Sequence, residues 1–456
     1  MKWSALASLL VVAGFCPRWA EALNPDADEI RVTHIRFDHK GTDNEKGDGL
    51  LIRQSFRDKL KHDGNGPGWG EWIRPGSQDE DGGLMGRNEP ALWVAKDTVT
   101  MSVRFESTHP YSRFIYAKPV NGQLPTTKEV EVWFRTKDDI APEPTFGTTG
   151  FEFESSGSTD TVIPKYTFWR EWVVFGFTQP VTDKISRLED IWEWNIQTID
   201  ANGHTQWEKF DSSPKPWQQS AIPGDKPPPV HVVYVVLDVP KLPWYLAGVE
   251  QHRPWVSALD FTIVRAGTRG LDKLEDTAKK LTTYVHSSYY YNTVDTEAAY
   301  CTHPEGGPEK FDFTNFMRRA KKLGHVNCAD CANSVATMLN LLGAGSDVYY
   351  IEPFGYIKTD YLVGGILANN PAPVQTTNPL LVDESWVEKA RGKFDLHEWV
   401  EFEERVYDAT IGPHLGADSR PDYFRKAQDD PPAAPIGSKG DPANAEAMGW
   451  TNFRLE

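Results

Sequence analysis

The hydrophobic period of this chain changes once, and that change constrains the fold more than any other feature. From about Asn24 to Pro240 the period is two. Val99, Met101, Val103 and Phe105 alternate with Thr98, Thr100, Ser102 and Arg104. Val130, Val132 and Phe134 alternate with Glu129, Glu131 and Trp133, and Trp192, Trp194, Ile196 and Thr198 with Glu193, Asn195 and Gln197. Successive side chains of a strand point to opposite faces, so such runs predict half-buried strands. Asp200-Ala201-Asn202-Gly203 supplies a turn, and Val232 to Leu237 predicts a strand buried on both faces. Beyond Trp255 the spacing becomes helical. Leu271, Leu274, Ala278, Leu281 and Val285 predict one helix. Phe313, Phe316, Met317, Ala320 and Leu323 predict a second, ending at Gly324. A third starts at Cys328 and stops at Gly343. Strands are expected at Val348 to Ile351, His397 to Phe402 and Arg405 to Ala409.

These patterns predict an α+β chain with antiparallel sheets packed as a sandwich over residues 23–240, as one or two immunoglobulin-like sandwiches. A mixed α and β region covers residues 241–412, and a Pro/Gly/Ala-rich tail, residues 413–456, is expected to be loosely held, with Trp450 and Phe453 available to dock. Residues 1–22 read as a signal peptide. Lys2 opens it, the apolar run Ala5 to Phe15 is shorter than the roughly 20 residues a membrane helix needs, and Ala20-Glu21-Ala22 is a cleavage site. Phe15 is too bulky for a lipid anchor on Cys16, and no later stretch is apolar enough to span a membrane. The expected location is therefore secreted or periplasmic. A hydrophobic content of 39% with 17 tryptophans excludes a disordered chain, and a net charge of −17 disfavours nucleic acid as a partner. The acidic loop Asp79, Glu80 and Asp81 offers hard oxygen ligands for calcium, but the spacing of a calcium-binding loop is absent and solvation is the simpler reading.

With Cys16 in the signal, Cys301, Cys328 and Cys331 remain, an odd number for an exported chain. The simplest arrangement is a Cys301–Cys331 disulfide with Cys328 free. Asn327 is a suitable N-cap for the helix that Cys328 opens, and amides and dipole at a helix start favour thiolate and a developing oxyanion. Asp330 suits the same end. A structural thiol, or redox use of the Cys-x-x-Cys pair, is the alternative. Zinc lacks a second ligand pair, since His303 and His325 do not form one. His397 shares a strand face with Trp399, and a tight turn around Glu403-Glu404 brings Asp408 across from it. A lone His or Asp on a strand is ordinarily structural. Thiol, imidazole and carboxylate together form a nucleophile, its base and an orienting acid.

Cys328-x-Asp330-x-Ala332 at a helix start, Leu341-Leu342-Gly343 at its end, His397-x-Trp399 and Asp408 resemble the transglutaminase-like superfamily of papain-fold cysteine enzymes. Thr283 to Val285 and Tyr289 to Tyr291 resemble that family's helix before the core. The chain departs from the family pattern at Val326 and Cys331 and in the short spacing from His397 to Asp408. The resemblance covers roughly Leu271 to Ile411. It implies a transglutaminase-like catalytic region at 241–412, with Cys328, His397 and Asp408 catalytic and Trp399 either a wall of the substrate site or core packing; from the residues themselves no metal site is expected. The implied activity is hydrolysis or transglutamination of amides in protein, peptide or cell-wall peptide substrates. The alternative is an inactive relative that binds through its aromatic β region.

Overall fold

The computed structural model describes residues 30–39, 52, 71–73, 87–88, 90–96, 99–107, 112–133, 166–167, 172–213, 230–244, 253–292, 297–302, 309–321, 324–357, 361–364, 366–367, 393–428, 439–450 and 453–456. The signal peptide (1–22), Cys16 and the acidic loop Asp79 to Asp81 lie outside these residues. Among the described residues, no helix is long and apolar enough to cross a membrane.

The fold is α+β, with several antiparallel sheets. In the first half, three sheets enclose one core. The Ile30–His39 strand pairs antiparallel with Val99–Ser107 and Glu71–Ile73 in the largest sheet. Trp192–Ile199 lies between Ser112–Pro119 and Thr205–Ser213 in a second, also antiparallel. Val103, Phe105, Phe175, Trp192, Trp194 and Phe210 meet between them. Phe105 stands edge-on to Trp194 at 5.4 Å, an arrangement aromatic rings favour. The expected turn is present: Asp200 Oδ1 accepts the amides of Asn202 and His204, and Gly203 has φ 83°.

The third sheet departs from the all-antiparallel expectation. His231–Val236 runs antiparallel to Ser186–Asp190 but parallel to Ala91–Val94. Its burial on both faces is borne out. Val233 and Val235 belong to the first core, whereas Tyr234 and Val236 belong to a second core that continues through the rest of the chain.

The second core is built around the Cys328–Leu341 helix, every residue of which is buried. The Leu274–Ser288 helix packs beside it through Ala278, Leu281 and Val285. The chain leaving the third sheet is clipped onto the far end of the buried helix. Lys241 N donates to Asn340 O at 2.9 Å, Trp244 Nε1 to Thr337 O at 2.6 Å and Asn340 Nδ2 to Leu242 O at 2.7 Å. Gly343 ends the helix with φ 104°, and a Cβ there would lie 2.6 Å from Asp238, so both conformation and space demand glycine.

Against this helix lies a five-stranded antiparallel sheet in the order His414–Leu415, Arg405–Asp408, His397–Phe402, Asp347–Ile351, Glu446–Ala447. Two sequence readings differ from it. The helix from Phe313 runs only to Arg318, because Arg319 turns left-handed at φ 53° and lays its guanidinium 5.0 Å from the Tyr289 ring centre. The stretch after Pro413 is not loosely held where it is described. It forms the Arg420–Ala427 helix, and Arg454–Leu455 pairs with Lys310–Phe311, burying Phe453 and Leu455.

Candidate functional site

The buried helix begins with a complete capping box. Asn327 Oδ1 accepts the Asp330 amide at 3.0 Å, and Asp330 Oδ2 accepts the Asn327 amide at 3.3 Å. Asp330 does more than the helix dipole asks. Its carboxylate also accepts the amides of Ala299, Tyr300 and Cys301 at 2.7 to 2.8 Å, tying that segment to the start of the helix. Burial pushes this carboxyl upward, and the amides pull it back.

Cys328, the first residue of the helix, is 4% exposed. Its Sγ lies 4.0 Å from the Leu396 carbonyl oxygen, and the amide of Glu398 donates to it. The thiol therefore rests against the backbone on either side of His397. The dipole does not win there: burial pushes the thiol well above its ordinary value, and the nearby Glu398 and Asp408 carboxyl groups push it further.

The hairpin delivers the other two residues. Val400 faces Tyr407 and Phe402 faces Arg405, so Glu403 and Glu404 alone make the turn, both with positive φ (51° and 60°). This register sets Asp408 diagonally across from His397. Asp408 Oδ2 lies 2.9 Å from His397 Nε2, and both side chains are fully buried. Asp408 Oδ1 accepts the amides of Thr410 and Ile411 at 2.7 and 3.3 Å. Burial alone would raise this carboxyl. The His397 ring and its hydrogen bonds nevertheless hold it below the usual carboxylate range. The other ring nitrogen, Nδ1, is buried and has no hydrogen-bond partner among the described residues, so ring and thiol are not hydrogen-bonded at rest.

Trp399 packs. It is fully buried, stacks on His397 at 6.0 Å and donates Nε1 to Glu401 Oε1 at 2.9 Å, which places it behind the ring. The expected Cys301–Cys331 disulfide is absent. All three cysteines are free thiols, each sealed in the core, where burial pushes the Cys301 and Cys331 thiols well up.

Two groups at the site escaped the sequence reading. Tyr423 donates its hydroxyl to Asp408 Oδ2 at 2.7 Å and lies 3.0 Å from His397 Nε2. Its helix had a readable start in Ser419-Arg420-Pro421-Asp422, a cap, an early proline and an acid in the first turn. On the other side of the His397 strand, Asn333 Nδ2 reaches Glu309 Oε1 at 3.2 Å and Glu398 Oε2 at 3.5 Å. Burial pushes Glu309 up to about 7; burial and neighbouring acids push Glu398 well above its ordinary value. No sequence spacing pairs residues 309, 333 and 398. Among the described residues no group of three or more His, Cys, Asp or Glu is placed to hold a metal ion.

No family model and no curated protein matches this chain. Among solved structures, red sea bream transglutaminase is similar over 73% of this chain at 9% identity, with a TM-score of 0.31. The chain spans 50% of the length of that structure.

Proposed function

We propose that this protein is a cysteine-dependent acyl-transfer enzyme acting on amides of proteins or peptides, with Cys328 as nucleophile, His397 as base and Asp408 as the acid that orients the ring. The observation that carries this reading is the buried His397–Asp408 pair, whose second ring nitrogen has no partner among the described residues, next in the chain to Leu396, whose carbonyl meets the helix-start thiol. Burial and the nearby acids disfavour the thiolate, so the reaction starts by general base catalysis rather than from a standing ion pair. Nδ1 takes the Cys328 proton as sulfur forms its bond to the amide carbonyl carbon. The C–N bond then breaks, and the same proton leaves on the departing amine. Water or a second amine attacks the thioester, gives a proton to Nδ1, and the sulfur departs and recovers it.

The test is the rate at which iodoacetamide alkylates Cys328 in the full chain, followed by peptide mapping. Selective reaction at Cys328 is expected, with Cys301 and Cys331 spared and the rate falling about a hundredfold in His397→Ala. An unchanged rate in that variant overturns the reading. The burial of Cys328 favours a second reading, a binding protein without turnover. In that case Cys328→Ser retains full ligand binding and no amine is released from any peptide substrate.

A further inference from the structure

We propose that Tyr423 is a positioning residue for His397. Its hydroxyl gives its one proton to Asp408, accepts a hydrogen bond from the ring, and so holds the imidazole with Nδ1 bare and ready to take a proton. The inference rests on the reading of Cys328 and His397 as nucleophile and base, and it adds a fourth member to that machinery.

Three distances close a triangle: Tyr423 Oη to Asp408 Oδ2 at 2.7 Å, Asp408 Oδ2 to His397 Nε2 at 2.9 Å, and Tyr423 Oη to His397 Nε2 at 3.0 Å. The protons can be distributed in one favourable way. Asp408 is a carboxylate, which only accepts, and Oδ1 is already occupied by two amides. The phenol therefore donates to Oδ2, leaving its oxygen as an acceptor. Nε2 then faces two acceptors and must carry the ring proton. The opposite tautomer would leave the phenol's single proton to serve all three contacts and set the Nε2 lone pair against the Asp408 carboxylate at 2.9 Å in a buried site. With Nε2 protonated, the neutral ring has its lone pair on Nδ1, the nitrogen with no partner.

Tyr423 reaches this place through the Arg420–Ala427 helix. Arg420 Nε and Nη2 grip Glu401 at 2.6 and 2.9 Å, and Glu401 lies on the strand that carries His397. The Tyr423 ring stands edge-on to His414 at 4.8 Å, which fixes its rotation independently of the hydroxyl. Tyr423→Phe thus removes the hydrogen bonds and leaves the packing.

Nitrogen-15 NMR of the full chain, with His397 assigned by its loss in His397→Gln, provides the first measurement. In the unaltered protein Nε2 is expected as the protonated nitrogen and Nδ1 as the bare one; a protonated Nδ1 overturns the proposal without any variant. In Tyr423→Phe the Nε2 proton resonance is expected to move, because one of its two acceptors is gone, and Cys328 alkylation by iodoacetamide to slow about tenfold. A tyrosine that only fills space leaves both unchanged, and an unchanged rate alone also overturns the positioning role. These results are separable from failure of the underlying reading. If His397→Ala does not slow alkylation, the nucleophile and base assignment falls; if it does while Tyr423→Phe has no effect, only Tyr423 is removed.

Discussion

At the scale of single residues, the site depends on buried carboxylates whose oxygens are filled by backbone amides. Asp330 serves four N–H groups from two segments, those of Asn327, Ala299, Tyr300 and Cys301. Truncation to alanine leaves those donors buried without acceptors. Each such loss is worth about 1 to 3 kcal/mol before relaxation, so Asp330→Ala is expected to cost about 3 kcal/mol or more in urea unfolding. Asn327→Ala removes the cap and is expected to cost about 1 kcal/mol. Equal losses would show that Asp330 acts only as a helix-start residue. The pairing of His397 with Asp408 was legible in the sequence because a tight turn between their strands brings them across from each other. The share of Asp330 in the 299–301 segment was not, since an aspartate at a helix start already has a local explanation. The disulfide reading failed for a related reason: counting cysteines carries no information about burial, and all three thiols sit in the core.

At the scale of elements, local rules wrote some boundaries and distant contacts wrote others. The His397–Phe402 strand and the Cys328 helix were legible to the residue at their starts, through alternation in one and Asn327 in the other; Gly343 marked the helix stop. The helix from Phe313 ends early because Arg319 turns to meet Tyr289, a contact no local window contains. The Arg420–Ala427 helix carried its own start signal, but the proline- and alanine-rich composition around it argued for a tail. The hairpin joining His397 to Asp408 is the most constrained element. Its two-residue turn needs positive φ at both positions, and both are glutamate, a residue that pays about 1 kcal/mol in that region where Asn-Gly does not. Glu403→Asn with Glu404→Gly is therefore expected to raise the unfolding free energy by about 1 kcal/mol or more in urea titration, leaving Cys328 alkylation unchanged. A loss of stability would mean that the two glutamates hold the turn through their side chains.

At the scale of the whole molecule, the two cores share one sheet, and each buries a group that titrates far from its ordinary value. In the first, His231 is enclosed by Phe37 and Trp72, and burial lowers it from 6.5 to about 4. In the second, burial raises Glu309 from 4.5 to about 7. The two act on stability with opposite sign. Between pH 6.5 and 4 the unfolded chain takes up a proton at His231 that the folded chain refuses, so stability present above pH 6.5 is lost as the pH falls. The full loss is about 3 kcal/mol. Between pH 4.5 and 7 the unfolded chain ionises Glu309 while the folded chain keeps it protonated, so stability present below pH 4.5 is lost as the pH rises, by a similar amount. Over the shared window the two slopes oppose each other. Urea unfolding at half-unit steps from pH 4 to 7.5 separates them. Relative to the unaltered chain, His231→Phe is expected to gain stability as the pH is lowered, and Glu309→Gln to gain as it is raised. Parallel curves for either variant would mean that its buried group does not titrate as its surroundings require. The Glu309 arm also reaches the site, because Asn333 links Glu309 to Glu398, whose amide meets the Cys328 thiol. The pH profile of Cys328 alkylation is therefore expected to differ between Glu309→Gln and the unaltered chain in the window around pH 7, whereas His231→Phe, in the other core, should leave it intact.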